Sequence, residues 1–135
     1  MLYHLLYISE KSAIYNEETD LDNILSRSRI KNLSNNVTGL LIKNDRFFIQ
    51  FLEGKRDAVV SIFNRINLDP RHMKIRELLT YHDEERLFPQ WSMGLVEGKD
   101  HQLSINELLP ILYSDLTGLT AKEKVIPILK KFNQI

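Results

Sequence analysis

A chain of 135 residues with 43% hydrophobic and 27% charged side chains reads as one soluble globular domain with a single real core. Its 18 basic and 18 acidic residues cancel, so no overall field favours nucleic acid or an anionic membrane. The absence of cysteine excludes disulfides, thiolate metal sites and a cysteine nucleophile, and agrees with a reducing compartment. Residues 2–9, "LYHLLYIS", follow Met1 with no basic lead-in and are too short to span a bilayer, so the expected location is cytoplasmic. They read as a buried, Tyr-rich strand. "SEKSAIYNEE" is polar and loop-like, and a helix is expected to open at Thr19 with Asp22 as its capping partner. Its apolar stripe, Leu21, Ile24 and Leu25, continues at helical spacing into Ser28 and Asn32, so this face turns polar toward its C-terminal end.

"VTGLLIKNDRFFIQFLEG" predicts a hairpin, with strands over 37–43 and 46–52 and a turn at Asn44-Asp45. A second helix over 56–67 turns Val59, Ile62, Phe63 and Ile66 inward and stops ahead of Pro70. Strands are expected over 75–82 and 91–96, joined by a charged loop containing Pro89. The order β-α-β-β-α-β-β predicts an α+β fold: a ferredoxin-like, five-stranded mixed sheet with two helices on one face. Two further helices, about 104–114 and 120–133, form a C-terminal tail. Thr120 and Glu123 make a T-x-x-E start, and Pro110 and Pro127 are candidate kinks. Ile105, Leu108, Leu109, Ile126, Ile128 and Leu129 suit packing on the open sheet face, which would otherwise expose a large apolar patch.

Much chemistry is ruled out. The five glycines, at 39, 54, 94, 98 and 118, make no phosphate-cradling loop. His4, His72, His82 and His101 share no metal-ligand spacing, and no serine sits in a nucleophile elbow, so neither a metal site nor nucleophilic catalysis is expected. "DRFFIQF" lacks the glycines of an RNA-binding sheet motif. A small hydrolase of the acylphosphatase type needs an arginine-lined anion loop, and 9–18 holds no arginine or glycine.

What remains is polar-in-apolar patterning. In "DRFFIQFLEG", alternation puts Phe48, Gln50 and Leu52 on one face, with Phe47, Ile49 and Phe51 on the other. Gln50 thus enters an apolar layer, where an unpaired amide costs about 2–7 kcal/mol. Tyr7, on the first strand, is the obvious partner if the two strands are neighbours. A Tyr–Gln pair alone is equally a satisfied core pair. With Ser28, Asn32 and the Phe48 face it becomes a pocket wall, apolar with a few convergent amides and hydroxyls. A planar heterocycle with ring N–H and carbonyl edges would satisfy an Asn and a Gln together.

"LLYIS", "NLSNNVTGLL", "RFFIQFLEG", "DPRH" and "FPQWSM" occur in the order and spacing of the BLUF family, the blue-light sensors that use flavin, and the chain resembles its short, stand-alone members. The resemblance covers 1–98 as a flavin-binding photosensor domain and leaves 99–135 as a helical extension on the sheet. It implies a photoreceptor with no enzymatic turnover, carrying FAD, with FMN or riboflavin as alternatives. Tyr7 would donate an electron and a proton to the excited ring, and Gln50 would then rearrange, leaving a red-shifted absorption that relaxes in the dark. Ile24, Ser28, Asn32, Phe48 and Gln50 would hold the ring, with Arg65, Asp69 and His72 near the ribityl and phosphate end. Trp91 and Met93, expected on one strand face, would carry the signal to an oligomer contact or a protein effector. Lys31 departs from the Asn or His that relatives often carry beside the flavin; solvent is its favoured direction, the ring carbonyls the other. A flavin-free regulatory module on the same fold is the alternative reading.

Overall fold

The computed structural model describes residues 1–112 and 118–132, so the end of the expected helix at 113–114 lies outside the described residues. Five strands form one mixed sheet: β1 (Leu2–Lys11), β2 (Thr38–Lys43), β3 (Phe47–Gly54), β4 (His72–Asp83) and β5 (Gly94–Glu97), in the order β4-β1-β3-β2-β5. The first four are antiparallel neighbours, and β5 adds in parallel to β2. Helices α1 (Glu17–Ser34) and α2 (Arg56–Asn67) are the crossovers; α3 (Gln102–Leu112) and α4 (Gly118–Phe132) follow β5 through a 3-10 turn at Gly98–His101.

Period-two alternation assigns each core residue to a face. Leu6, Ile8, Leu40, Ile42, Ile49 and Phe51 pack with Ile105, Leu108, Leu129 and Phe132 of α3 and α4. The alternate positions, Leu5, Tyr7, Leu41, Phe48 and Leu52, pack with Leu25 of α1 and Val59 and Phe63 of α2. Pro110 and Pro127 lie within continuous helices.

Several boundaries differ from expectation, among them the start of β4, at His72 and not 75. Helix α1 opens at Glu17, not Thr19: the Asn16 side chain accepts from the Glu18 N–H at 3.0 Å, and Asp20 reaches back to the Asn16 N–H at 2.8 Å. Asparagine is among the best N-cap residues, so the local cap prevails over the later Thr–Asp pair. Helix α4 begins at Gly118, so Thr120 lies inside its first turn. Most consequential, β5 begins at Gly94, so Trp91 and Met93 do not share a strand face. The Trp91 indole folds back over the Gly94 backbone, where any Cβ would collide with the ring, and the Trp91 N–H bonds to the Phe88 carbonyl. The chain is therefore curled where the alternation suggested a strand.

Beneath that loop lies a fully buried ionisable pair, His4 Nε2 and Glu53 Oε1, 3.3 Å apart and both 0% exposed. Glu53 accepts the backbone N–H groups of Leu87 at 2.8 Å and Phe88 at 2.7 Å, and the Thr38 hydroxyl at 3.2 Å. His4 Nε2 also faces the Glu85 carbonyl at 2.9 Å, while its ring stacks on Tyr81. One carboxylate thus fastens the β4–β5 connection to the sheet. Removing it strands a buried imidazole and two backbone donors, so Glu53→Ala is expected to cost about 3–5 kcal/mol of stability. Denaturant unfolding followed by circular dichroism measures this; a loss below about 1 kcal/mol would show that the loop is held by something else.

Candidate functional site

Strand pairing dictates the floor of the site. Tyr7 of β1 and Leu41 of β2 both lie directly across from Gln50 of β3, so the three side chains form one row on the α1/α2 face. The β1–β4 register shifts at Leu6/Tyr7, a bulge-like irregularity beside the row. Above it, α1 and α2 stand apart and leave a cavity of about 260 Å³. That is the size of a three-ring heterocycle, not of a whole dinucleotide. Its wall explains the weak apolar face of α1, whose only buried residues are Leu25 and Asn32.

The cavity lining brings together Tyr7, Ile24, Ser28, Asn32, Phe48, Gln50, Arg65, Asp69 and His72, all singled out from the sequence. Leu41, Ile62 and Ile66 complete the apolar walls. Arg27, Lys31 and Arg71 also line it. Sequence reading missed Arg27 and Arg71; the signal for Arg27 was its place three residues after Ile24, one helical turn on along the same side of α1. Lys31 is solvent-exposed, in the favoured direction, yet borders the cavity as well.

The polar floor is incompletely satisfied. The Tyr7 hydroxyl donates to Gln50 Oε1, both side chains being buried. Burial, reinforced by the negative charge of Asp69, pushes the Tyr7 phenol well above its usual range, so it keeps its proton. Among the described residues, Gln50 Nε2 faces only the Met93 sulfur, at 3.5 Å, a weak acceptor. Asn32 Nδ2 donates to the Ser92 carbonyl at 2.6 Å; a carbonyl only accepts, which fixes the orientation of the amide. Its Oδ1 is then a buried acceptor without a partner among the described residues, on a residue 1% exposed. Orphans of this kind are rare in native interiors.

The other end of the cavity is closed by a strap. Arg71 meets both oxygens of Asp69, at 2.6–3.1 Å, and crosses to Asn23 at 3.2 Å and Asp20 at 3.6 Å on α1. The hydrogen bonds from Arg71 hold the Asp69 carboxyl below the ordinary carboxylate range. His72 Nε2 faces the Ile66 carbonyl at 2.6 Å and must donate there, leaving Nδ1 to accept from Ser9 Oγ at 2.8 Å. Asp69 and His72 are thus occupied by the protein. Arg65, exposed at the rim, makes no side-chain hydrogen bond or ion pair among the described residues.

Met93 and Trp91 lie outside the lining and on opposite sides of the sheet. Met93 is buried with the α1/α2 cluster, beneath Arg29, whose Nε donates to its carbonyl at 3.0 Å. Trp91 is half-buried against the α3/α4 cluster, stacked on Phe88 with ring centres 5.5 Å apart.

The chain is similar in sequence and fold to known proteins. The family described as BLUF, sensors of blue-light using FAD, matches residues 2–94. The chain is 33% identical over 125 residues to the photoactivated adenylate cyclase subunit beta of Euglena gracilis, covering 91% of this chain and 14% of that protein. It is 34% identical over 104 residues to the blue light- and temperature-regulated antirepressor BluF of Escherichia coli (strain K12), covering 76% and 25%. The chain therefore spans a quarter or less of these curated relatives. Among solved structures, the dark state of the BLUF protein BlrB superposes with a TM-score of 0.80 at 30% identity, covering 97% of this chain and 96% of that one. The photo-activated state of BlsA gives 0.73 at 30%, covering 96% and 95%.

The lowered carboxyl of Asp69 carries a sign. Its stabilising contribution is complete above the unfolded value near ~4 and is lost as pH falls through the lower folded value. The stability gap between wild type and Asp69→Asn should be constant above about pH 5 and close below about pH 4. Thermal unfolding across that range is the measurement, and a gap undiminished at about pH 3 would remove Asp69 from the strap.

Proposed function

The chain belongs to the BLUF family, and from that premise we propose that it is a blue-light photoreceptor holding a flavin ring between α1 and α2 and reading its excitation through Tyr7 and Gln50. The BLUF domain is a sensor module, not an enzyme. What supports the reading here is one observation: the unpartnered Asn32 Oδ1, buried beside a Gln50 amide whose Nε2 meets only sulfur. An acceptor and a donor, converging on an apolar slot, are what the imide edge of an isoalloxazine requires.

Ile24, Phe48, Leu41 and Ile62 would exclude water from the ring faces, Asn32 would accept from its N–H, and Gln50 would donate to an adjacent carbonyl. The bound flavin supplies the absorption of blue light and, when excited, an acceptor for an electron and a proton. Tyr7 is the group that can provide both, because its phenol is held protonated and is already aimed at Gln50. Gln50 carries a donor and an acceptor on one rotatable group, so turning its amide exchanges what Tyr7, Met93 and the ring each meet, with no movement of the backbone. Low local dielectric makes that exchange energetically significant. Met93 is the first residue to feel it, and Trp91, two residues earlier, touches the tail side of the sheet. Through that segment the signal would reach an oligomer contact or a protein effector. FAD is the flavin of the family description; a cavity sized for the ring accommodates FMN or riboflavin as well.

Purified protein should be yellow, or turn yellow with added flavin, and its absorption should shift to the red under blue light and return in the dark. Colourless protein that takes up no flavin would overturn the reading in favour of a flavin-free module. Tyr7→Phe and Gln50→Leu should each retain flavin and lose the red shift, recorded by difference spectroscopy; an intact shift would release that residue from its role. Asn32→Ala should weaken flavin binding about tenfold, the worth of one buried hydrogen bond, by fluorescence titration.

A further inference from the structure

The charge of α1 is divided along its length. Its acids, Glu17, Glu18, Asp20 and Asp22, all lie in the first two turns, and its bases, Arg27, Arg29 and Lys31, all lie in the second half. No aspartate or glutamate occurs between residues 23 and 44. The three bases have no ion-pair partner among the described residues. On the outer face of the same half stand Ile30 and Leu33, 70% and 76% exposed. They are three residues apart on the helix and so form one stripe. At about 100° of rotation per residue, Arg29 falls on one flank of that stripe and Arg27 on the other. Past the helix end, Asn35 shares a shallow depression with Lys55, Arg56 and Asp57, which carries a net positive charge onward.

Resting on the photoreceptor reading above, we propose that the signal leaves the domain through this face: the outer, C-terminal half of α1 docks an acidic amphipathic helix of a partner protein. Two apolar side chains at helical spacing suit the apolar stripe of such a helix, and its flanking carboxylates would lie against Arg27 and Arg29. A membrane surface or a nucleic-acid backbone is an extended anion and would also meet the acids of the first turns. Asp22 and Arg27 are separated by about 7.5 Å along the axis, within one screening length at physiological salt. A short acidic helix lies along the basic half alone. The link to the cavity is direct. Arg29 Nε donates to the Met93 carbonyl at 3.0 Å, and the Met93 sulfur is what Gln50 Nε2 faces at 3.5 Å. The position of the Arg29 charge therefore follows the segment that Gln50 touches, and re-pairing of Gln50 changes what a partner meets on that flank.

The probe is a synthetic peptide with Leu along one helical face and Glu on its flanks, labelled with a red dye and titrated with flavin-loaded protein by fluorescence anisotropy, in the dark and under blue light. Wild type should bind it, with an affinity that differs between the two states. The double variant Ile30→Ser/Leu33→Ser should bind at least about tenfold more weakly, the worth of one buried apolar side chain, and keep the flavin spectrum and its red shift. Binding should weaken between about 0.01 M and 1 M salt, as the screening length falls from roughly 30 Å to 3 Å. No binding, equal binding of the same peptide with Lys in place of Glu, tighter binding to phosphatidylserine vesicles or to polyuridylate, or wild-type affinity in the double variant would each overturn the docking surface. One affinity in dark and light would remove it from the output. Protein that takes up no flavin would overturn the parent reading instead, and the dark titration of that protein still decides this surface, so the two failures are separable.

Discussion

A primary amide cannot be left unpaired inside an apolar layer, and the alternation of β3 forces Gln50 into one. Phe48 and Leu52 flank it on the same strand, Tyr7 and Leu41 on the strands beside it, and both neighbours are in direct register. Tyr7 satisfies the oxygen; the nitrogen is left with a thioether. The same shortfall recurs at Asn32, where one half of the amide is bonded and the other is not. Two half-satisfied amides on adjoining walls of one cavity are costly as a core, and they make sense as the receiving half of a ligand's hydrogen-bond pattern.

The legible parts of the molecule were those governed by a short period. Alternation in β3 gave its two faces residue by residue, and helical spacing carried the α1 stripe from Ile24 through Ser28 to Asn32, all three lining the cavity. Elements decided by local competition were harder. Asn16 outcompetes Thr19 as a cap because it lies two residues from an acceptor-hungry N–H and four from Asp20, a contest that pattern alone does not rank. The residues before Gly94 look extended in sequence, yet the indole of Trp91 folds onto the one position with no side chain to obstruct it. Arg71 could not be assigned because its partners are a neighbour in sequence, Asp69, and two residues of α1 about fifty positions away, Asp20 and Asn23.

That curled segment joins the two halves of the structure. Its start is held by Glu53, which caps the N–H groups of Leu87 and Phe88 from the tail side of the sheet. Its end is held by α1, with Asn32 and Arg29 bonded to the carbonyls of Ser92 and Met93. Glu53 and Gln50 are three residues apart on β3, so their side chains leave on opposite faces of the sheet. One strand therefore meets both ends of one loop, firmly through the Glu53 carboxylate on the tail side and weakly through the Gln50 amide on the cavity side.

Such an arrangement restricts how a change at Gln50 can travel. β3 is a central strand, paired on both sides and buried along nearly its whole length, and offers little room to move. The Ser92–Met93 segment, in contrast, is held from the cavity side by Arg29 and Asn32 on its two backbone carbonyls and by the weak contact from Gln50 to the Met93 side chain, and the Asn32 amide also lines the cavity. Any event that re-pairs Gln50 and Asn32 acts on the same two residues. Trp91 precedes them and rests on Phe88, whose backbone N–H is held by Glu53. The connection between β4 and β5 is thus the element whose energy depends on the state of the cavity, while its anchor to the opposite layer does not.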